Sequence, residues 1–115
     1  MPYMLLVMEA RGRREGRPAE EAQKERKDMD AFADSLKARG VYLASQSLRT
    51  DGTRVETRSG KRSVVDGPYA ETKELVGGFF LLDVGTREQA VSLAAECPAA
   101  AWASIEVREV GPCTG

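Results

Sequence analysis

The sequence has no histidine and only two cysteines, Cys97 and Cys113, among its 115 residues. Without an imidazole, the chain has no histidine general base and no histidine metal ligand. Two cysteines are too few for the disulfide framework of a small secreted domain, and their separation does not match a metal-ligand spacing. We therefore predict two free thiols in a reducing compartment, no metal site and no bound cofactor.

Long apolar runs and an excess of charge of one sign are also missing. No apolar segment approaches the roughly 20 residues that a membrane-spanning helix needs. Residues 3–8 are apolar but lack a basic leader, so we do not predict a signal peptide. The 17 basic and 18 acidic residues leave a net charge of -1, which gives no global attraction for nucleic acid or anionic lipid. We expect a cytoplasmic protein with neither direct nucleic-acid binding nor membrane attachment.

Regular apolar patterns predict alternating strands and helices. Residues 3–8 and 79–84 are apolar on both faces, as in central strands, and residues 103–110 alternate as a last strand. A long helix is predicted at residues 18–39, ended by Gly40, and a shorter one from a capping box at Thr86 to Cys97. The apolar stripe of the long helix consists of Ala22, Met29, Phe32, Ala33 and Leu36.

The middle of the chain is predicted to form a projecting β-meander. Its strands are residues 41–48, 53–58 and 61–65, and Asp51-Gly52 between the first two is a strong hairpin signal. Residues 69–76 are predicted to form a helical turn or an ordered loop, which Gly77-Gly78 breaks.

This order of elements predicts one α+β domain over residues 1–115. The arrangement is ferredoxin-like βαββαβ with an added β-meander hairpin. Two helices cover only one face of such a sheet, yet residues 3–8 and 79–84 are apolar on both faces. A second copy of the same sheet is the simplest cover for the other face. We therefore predict a homodimer in the form of a dimeric α+β barrel.

The most specific motif is DGPYAETKELVGGFFLLD at residues 66–83. It resembles the signature of the YCII-related superfamily, in the branch of DGPF-domain proteins, with Tyr69 in place of the usual phenylalanine. Residues 3–7, 97–100 and 105–108 are also similar to that branch. The resemblance implies a bacterial protein with the dimeric α+β barrel fold and an activity that is unsettled in the family. A His–Asp pair proposed as catalytic in some relatives has no counterpart in this chain.

The motif also supplies the predicted binding residues. Residues 66–68, Asp-Gly-Pro, are typical of a tight turn. A turn alone does not require the charged segment at residues 71–74 that precedes Gly77-Gly78. Lys73 either binds an anionic group or pairs with a neighbouring carboxylate, while Glu71 or Glu74 is a candidate base if it is partly desolvated. Tyr69 either packs under the turn or contacts a ligand. The predicted ligand-binding set is Asp66, Tyr69, Glu71, Lys73 and Phe80; the catalytic residues are left open.

Besides a purely structural dimer with no chemistry of its own, two functions are consistent with these residues. The first is the binding of a small molecule in a cleft near the DGPYAETKE loop, with or without a reaction. The alternative is a regulatory or interaction protein in transcription control. The resemblance implies that alternative, because in bacteria the branch is often encoded beside extracytoplasmic-function sigma factors, which are therefore a possible partner.

Overall fold

A computed structural model describes residues 2–67, 69 and 72–114. These residues form three helices and six strands. In chain order they are β1 (Tyr3–Ala10), α1 (Arg13–Gly16), α2 (Ala19–Ala38), β2 (Tyr42–Ser47), β3 (Thr53–Arg58), β4 (Lys61–Asp66), β5 (Glu74–Leu82), α3 (Arg87–Glu96), a 3-10 turn (Pro98–Ala101) and β6 (Ser104–Glu109).

The main sheet has four strands in the order β2-β5-β1-β6, and every neighbouring pair is antiparallel. The strands β1 and β5 lie in the centre, as their apolar pattern predicts. Each helical connection carries the chain past the central strands to an outer position. This order is that of the ferredoxin-like βαββαβ fold, so the predicted fold class is confirmed.

The core lies between the helices and one face of this sheet. Alternate residues of β1, beginning with Tyr3 and Leu5, are buried under the helices. Phe32 of α2 meets Phe80 of β5 edge-on, with ring centroids 5.1 Å apart. Each large apolar side chain buried in this way contributes about 1.5–3 kcal/mol of hydrophobic stabilisation.

The helix ends follow the local sequence. Thr86 accepts a hydrogen bond from the Gln89 backbone N–H, and the Gln89 side chain accepts one from the Thr86 N–H, which completes the predicted capping box. Gly40 has a φ of +73° just after α2, a conformation that glycine adopts at little cost. Among the described residues, no helix is both long and apolar enough to cross a bilayer.

None of the helices in the described part of the chain covers the other face of the main sheet. We call it the open face and define it by Met4, Leu6, Met8, Phe79 and Leu81, all of which are partly exposed. Its residues alternate with the buried positions of β1 and β5. The domain is accordingly thin, with a smallest dimension of 17 Å.

The predicted β-meander is wrong in its first connection. The strand β2 pairs with β5 in the main sheet, while β3 and β4 form a separate two-stranded sheet. The strand β2 is the outermost strand of the main sheet and pairs with β5 along one edge, while β3 does not join its other edge, so Asp51-Gly52 links two sheets instead of two paired strands. The added hairpin itself is present as β3–β4. Because this hairpin projects, the radius of gyration of 16.1 Å exceeds the roughly 13 Å of a compact domain of this size.

The predicted break at Gly77-Gly78 is also wrong. The strand β5 begins at Glu74 and continues through both glycines, with a shift in its register against β1 between Val7 and Met8. A glycine can end a strand, but a glycine inside a strand is also typical of a bulge or of a close approach by other atoms.

Candidate functional site

A cleft of about 650 Å³ opens between α2 and the helix-facing side of the main sheet. Residues of β1, β2 and β5 form its floor. Trp102, the residue directly after the 3-10 turn, forms part of its wall. We call this concavity the helix–sheet cleft. Its apolar lining includes Val7, Ala22, Met29, Ala33, Phe80 and Trp102. Its polar lining comprises Glu9, Arg14, Arg17, Gln23, Glu25, Arg26, Asp30, Ser45, Gln46 and Ser47.

A buried carboxylate on α2, Glu25, holds two arginines together. It is 7% exposed and accepts hydrogen bonds from both Nη atoms of Arg13, that from Nη1 at 2.9 Å, and from Arg17 Nη1 at 2.6 Å. The hydrogen bond from Arg13 lowers the pKa of the Glu25 carboxyl, against the opposing effect of desolvation. The same bond raises the pKa of Arg13. Both groups are therefore charged at neutral pH.

A second buried carboxylate, Glu9, binds a third arginine. Glu9 is 5% exposed at the end of β1, and its Oε2 accepts a hydrogen bond from Arg14 Nε at 2.8 Å. The Nη atoms of Arg14 also donate to the carbonyls of Leu48, at 2.7 Å, and Gly77, at 3.0 Å. Arg14 thus connects three strands, or the residues that follow them, with one guanidinium.

The short helix α1 positions these arginines. Gly12 precedes it with a φ of +85°, which turns the chain sharply after β1. Arg13 and Arg14 are then directed towards the core, and the Arg13 guanidinium lies 5.3 Å from the ring centroid of Trp102, within the range of a cation–π contact. The arginine cluster, which we define as Arg13, Arg14 and Arg17, is therefore built by α1 and the residue that follows it.

The double glycine in β5 allows two close approaches. A Cβ on Gly77 would collide with the Glu9 carboxylate, and a Cβ on Gly78 would lie 2.8 Å from the Gln46 carbonyl oxygen of β2. A close approach is present at both glycines, and its partners are a side chain of β1 and the backbone of β2. The second half of the motif thus belongs to the floor of the cleft.

Three residues of the motif, Asp66, Gly67 and Tyr69, lie at the base of the hairpin. Thr53 donates to Asp66 Oδ1 at 2.8 Å across the hairpin. The Arg54 guanidinium stacks 3.8 Å from the centroid of the Tyr69 ring, and the Tyr69 hydroxyl donates to the Val65 carbonyl at 3.2 Å. Since a Cβ on Gly67 would lie 3.1 Å from the Tyr69 ring, glycine suits this tight junction.

Comparison with known proteins identifies the family. The profile of the YCII-related domain matches residues 1–114. The chain belongs to the YCII-related domain family. The comparison with curated proteins finds no match. Membership of the DGPF-domain branch stays a prediction.

The predicted binding residues of this YCII-related domain lie in two places. Phe80 is buried and lines the helix–sheet cleft. Asp66 and Tyr69 lie at the base of the hairpin, and Lys73 is exposed, with its carbonyl accepting a hydrogen bond from the Arg11 N–H at 2.8 Å. These three are not among the residues that line the cleft. Glu71 lies outside the described residues, and ligand binding at the loop stays a prediction.

The charged floor of the cleft was not predicted from the sequence, although two signals were present. Glu25 stands three residues after Ala22 and four before Met29, so it lies within the apolar stripe of α2. Glu9 continues the alternation of buried β1 residues that begins at Tyr3. A carboxylate at a buried position of an apolar pattern requires a charged partner.

The two thiols lie in different environments. Cys97 is buried, and desolvation raises the pKa of its thiol. It is a small core residue, with its Sγ 3.9 Å from Met29 Sδ. Cys113 is exposed. Within residues 2–67, 69 and 72–114, no three Cys, Asp or Glu side chains are grouped as metal ligands would be.

Proposed function

We propose that this YCII-related domain binds a small organic molecule in the helix–sheet cleft. The observation that carries the proposal is one concavity with apolar walls and two buried carboxylates, Glu9 and Glu25, held by arginines. Its volume of about 650 Å³ lies within the range of small-molecule pockets, roughly 300–1,000 Å³. Such pockets combine an apolar lining with a few fixed polar groups that orient the ligand.

The cost of burying these charges supports a functional role for them. A buried ion pair is weak evidence for stability, because apolar side chains of similar volume often stabilise a fold equally well. The two carboxylates, Arg14 and Arg17 line the cleft, where a ligand would contact them. We infer that they select the ligand and that the apolar side chains supply most of its contact area.

The electrostatics of the cleft favour binding over general-base catalysis at Glu25. The arginines lower the pKa of that carboxyl, and a lower pKa makes a carboxylate a weaker base. Glu25 is also engaged by two guanidinium groups. Its inferred role is to hold Arg13 and Arg17 in place.

The fluorescence of Trp102 tests the binding proposal, because it is the only tryptophan in the chain and it lines the cleft. A compound that raises the melting temperature in a metabolite screen should also change this fluorescence with a saturable dependence on concentration. The variant Ala22→Phe should abolish the response by filling the cleft. Its control is Ala31→Phe, an exposed position on the same helix. A response that survives Ala22→Phe, or no active compound in the screen, would contradict the proposal.

We further propose that the domain is a homodimer that pairs through the open face. Five apolar side chains of two central strands are partly exposed there, and a contiguous apolar patch of this kind is typical of an interface. Light scattering should report a dimer at micromolar concentration. Leu6→Asp, on the open face, should give a monomer or unfold the chain, whereas Val91→Asp, on the exposed side of α3, should leave the dimer intact. A monomeric parent protein would overturn this proposal.

One observation favours the alternative function as an interaction protein. Val55 and Val64 face each other across the projecting hairpin, and each is 61% exposed. An isolated two-stranded ribbon is only marginally stable, so a partner that covers these valines would stabilise it. A purified sigma factor encoded beside the protein should then bind the parent chain and not the Val55→Thr/Val64→Thr variant. Equal binding of both would remove the support for this alternative.

A further inference from the structure

We propose that the ligand of the helix–sheet cleft carries an anionic group, a carboxylate or a phosphate, and that Arg17 binds it. This inference rests on the proposed binding function and adds the chemical class of the ligand. It is carried by the charge balance of the arginine cluster, by the unequal hydrogen bonding of its three guanidinium groups and by the side chains beside Arg17.

The arginine cluster has more positive charge than its buried partners neutralise. Its three guanidinium groups face two buried carboxylates, Glu9 and Glu25. A third carboxylate, Glu21, approaches Arg13 to 3.7 Å, but its side chain is half exposed and water screens it. Arg26 and Asp30 also line the cleft, where their opposite charges cancel. Counted against the buried carboxylates alone, the cluster therefore keeps one positive charge for a ligand, which the exposed Glu21 offsets only in part.

The three arginines differ in how many of their donors are in use. Arg13 donates through both Nη atoms to Glu25. Arg14 donates through Nε and both Nη atoms to Glu9 and two carbonyls. Arg17 donates through Nη1 alone, to Glu25. Among the described residues, its Nε and Nη2 groups have no acceptor.

The unused donors of Arg17 suit an oxyanion. The Nε and Nη2 groups lie on one edge of the planar guanidinium, which matches the two oxygens of a carboxylate or a phosphate. The Arg17 side chain lines the cleft and is 23% exposed, so a ligand can reach it from the cleft. Glu25 holds the group from the other side and thereby limits the rotamer freedom that binding would otherwise remove.

The rest of the lining gives the ligand an apolar portion. Met29, Phe80 and Trp102 are among the apolar side chains of the same cleft, and aromatic and thioether side chains contact flat rings well. The ligand class is therefore an amphipathic anion with an apolar or aromatic body. A cationic ligand would meet the uncompensated charge of the cluster.

Three probes of similar shape test this inference: phenylacetate, phenyl phosphate and the neutral phenylacetamide. Their affinities are measured by Trp102 fluorescence and by isothermal titration calorimetry. At least one anion should bind the parent protein about tenfold or more tightly than the amide. The anion that binds with the higher affinity indicates whether the site is suited to a carboxylate or to a phosphate.

Variants of Arg17 test whether this side chain causes the preference for the anionic probes. Arg17→Gln should abolish the preference for the anion, and Arg17→Lys should retain only part of it, because lysine lacks the two-pronged geometry. The control is Arg39→Gln, which removes an arginine from an ion pair with Glu96 outside the cleft and should leave all three affinities unchanged. If Arg17→Gln does not fold, the comparison of probes on the parent protein and on Arg17→Lys still decides.

Three outcomes would overturn the inference. Equal affinity of the amide and both anions would refute the anionic class while leaving the binding function intact. A preference for the anion that persists in Arg17→Gln would refute the role of Arg17. If none of the three probes binds, not even the amide, the inference fails together with binding of such compounds in the cleft.

Discussion

The exchange Glu25→Gln is expected to destabilise the domain more than the same exchange at Glu96. In both cases a glutamate that pairs with an arginine loses its charge and keeps nearly its shape. At Glu25 the change leaves Arg13 and Arg17 without their counter-charge, and their side chains are only 17% and 23% exposed. At Glu96 the partner is Arg39, and both side chains are largely exposed.

The size of the effect follows from this difference in burial. Removing one partner of a fully buried ion pair costs about 3–5 kcal/mol. Because the two arginines at Glu25 keep some contact with water, and glutamine still accepts a hydrogen bond, we expect about 2 kcal/mol. For a chain of this length that lowers the melting temperature by roughly 8 °C. The loss from Glu96→Gln should be clearly smaller.

The stability difference between the parent protein and Glu25→Gln should also depend on pH in a definite direction. The pKa of Glu25 is lower in the folded protein than its ordinary value, chiefly through the hydrogen bond from Arg13. Its contribution to stability is therefore complete above the unfolded pKa of about 4.3. It is lost as the pH falls through the lower folded pKa. The difference between the parent protein and Glu25→Gln should shrink in that acidic window.

Urea unfolding measures these free energies at pH 7 and at several values below pH 5. The parent protein, Glu25→Gln and Glu96→Gln should have similar m-values, so that the differences report stability alone. A cost for Glu25→Gln no greater than that for Glu96→Gln would refute the role given to burial. So would a difference from the parent protein that grows as the solution becomes more acidic.

Three further changes test other parts of the structure. Gly78→Ala should lower the free energy of unfolding, measured in urea, by about 1–3 kcal/mol, because the new Cβ would lie 2.8 Å from a carbonyl oxygen of β2. The control is Gly52→Ala, whose Cβ would meet nothing within 4 Å, and equal losses in the two variants would count against this close packing. Lys73→Ala, at an exposed side chain, should leave ligand affinity unchanged if the helix–sheet cleft is the site, and a selective loss of affinity would instead support the loop. The double exchange of Cys97 and Cys113 to serine should retain oligomeric state and binding, with a modest loss of stability from the buried thiol; loss of either property would show an essential cysteine.

Local sequence patterns were sufficient for much of the fold. The capping box at Thr86, the stop at Gly40 and the long helix between residues 19 and 38 depend on neighbours within one turn, so their signals are contained in short segments. The two central strands were recognisable because apolar residues on both faces are typical of the middle of a sheet. Their order then restricted the topology to a few arrangements.

The tertiary structure decided the pairing of β2 and the identity of the charged site. The strand β2 pairs with β5 and not with β3. The pairing of a strand depends on how its apolar side chains pack across the whole sheet, and not on its neighbours in sequence alone. Arg14 reaches the Gly77 carbonyl across 63 positions of the chain, a contact that no local pattern encodes. The apolar periodicity of β1 and α2 marks their buried positions, and two of those positions carry glutamate. Only the fold brings the arginines of α1 and Arg17 to those carboxylates, because the charge partners of buried groups are selected by distance in space.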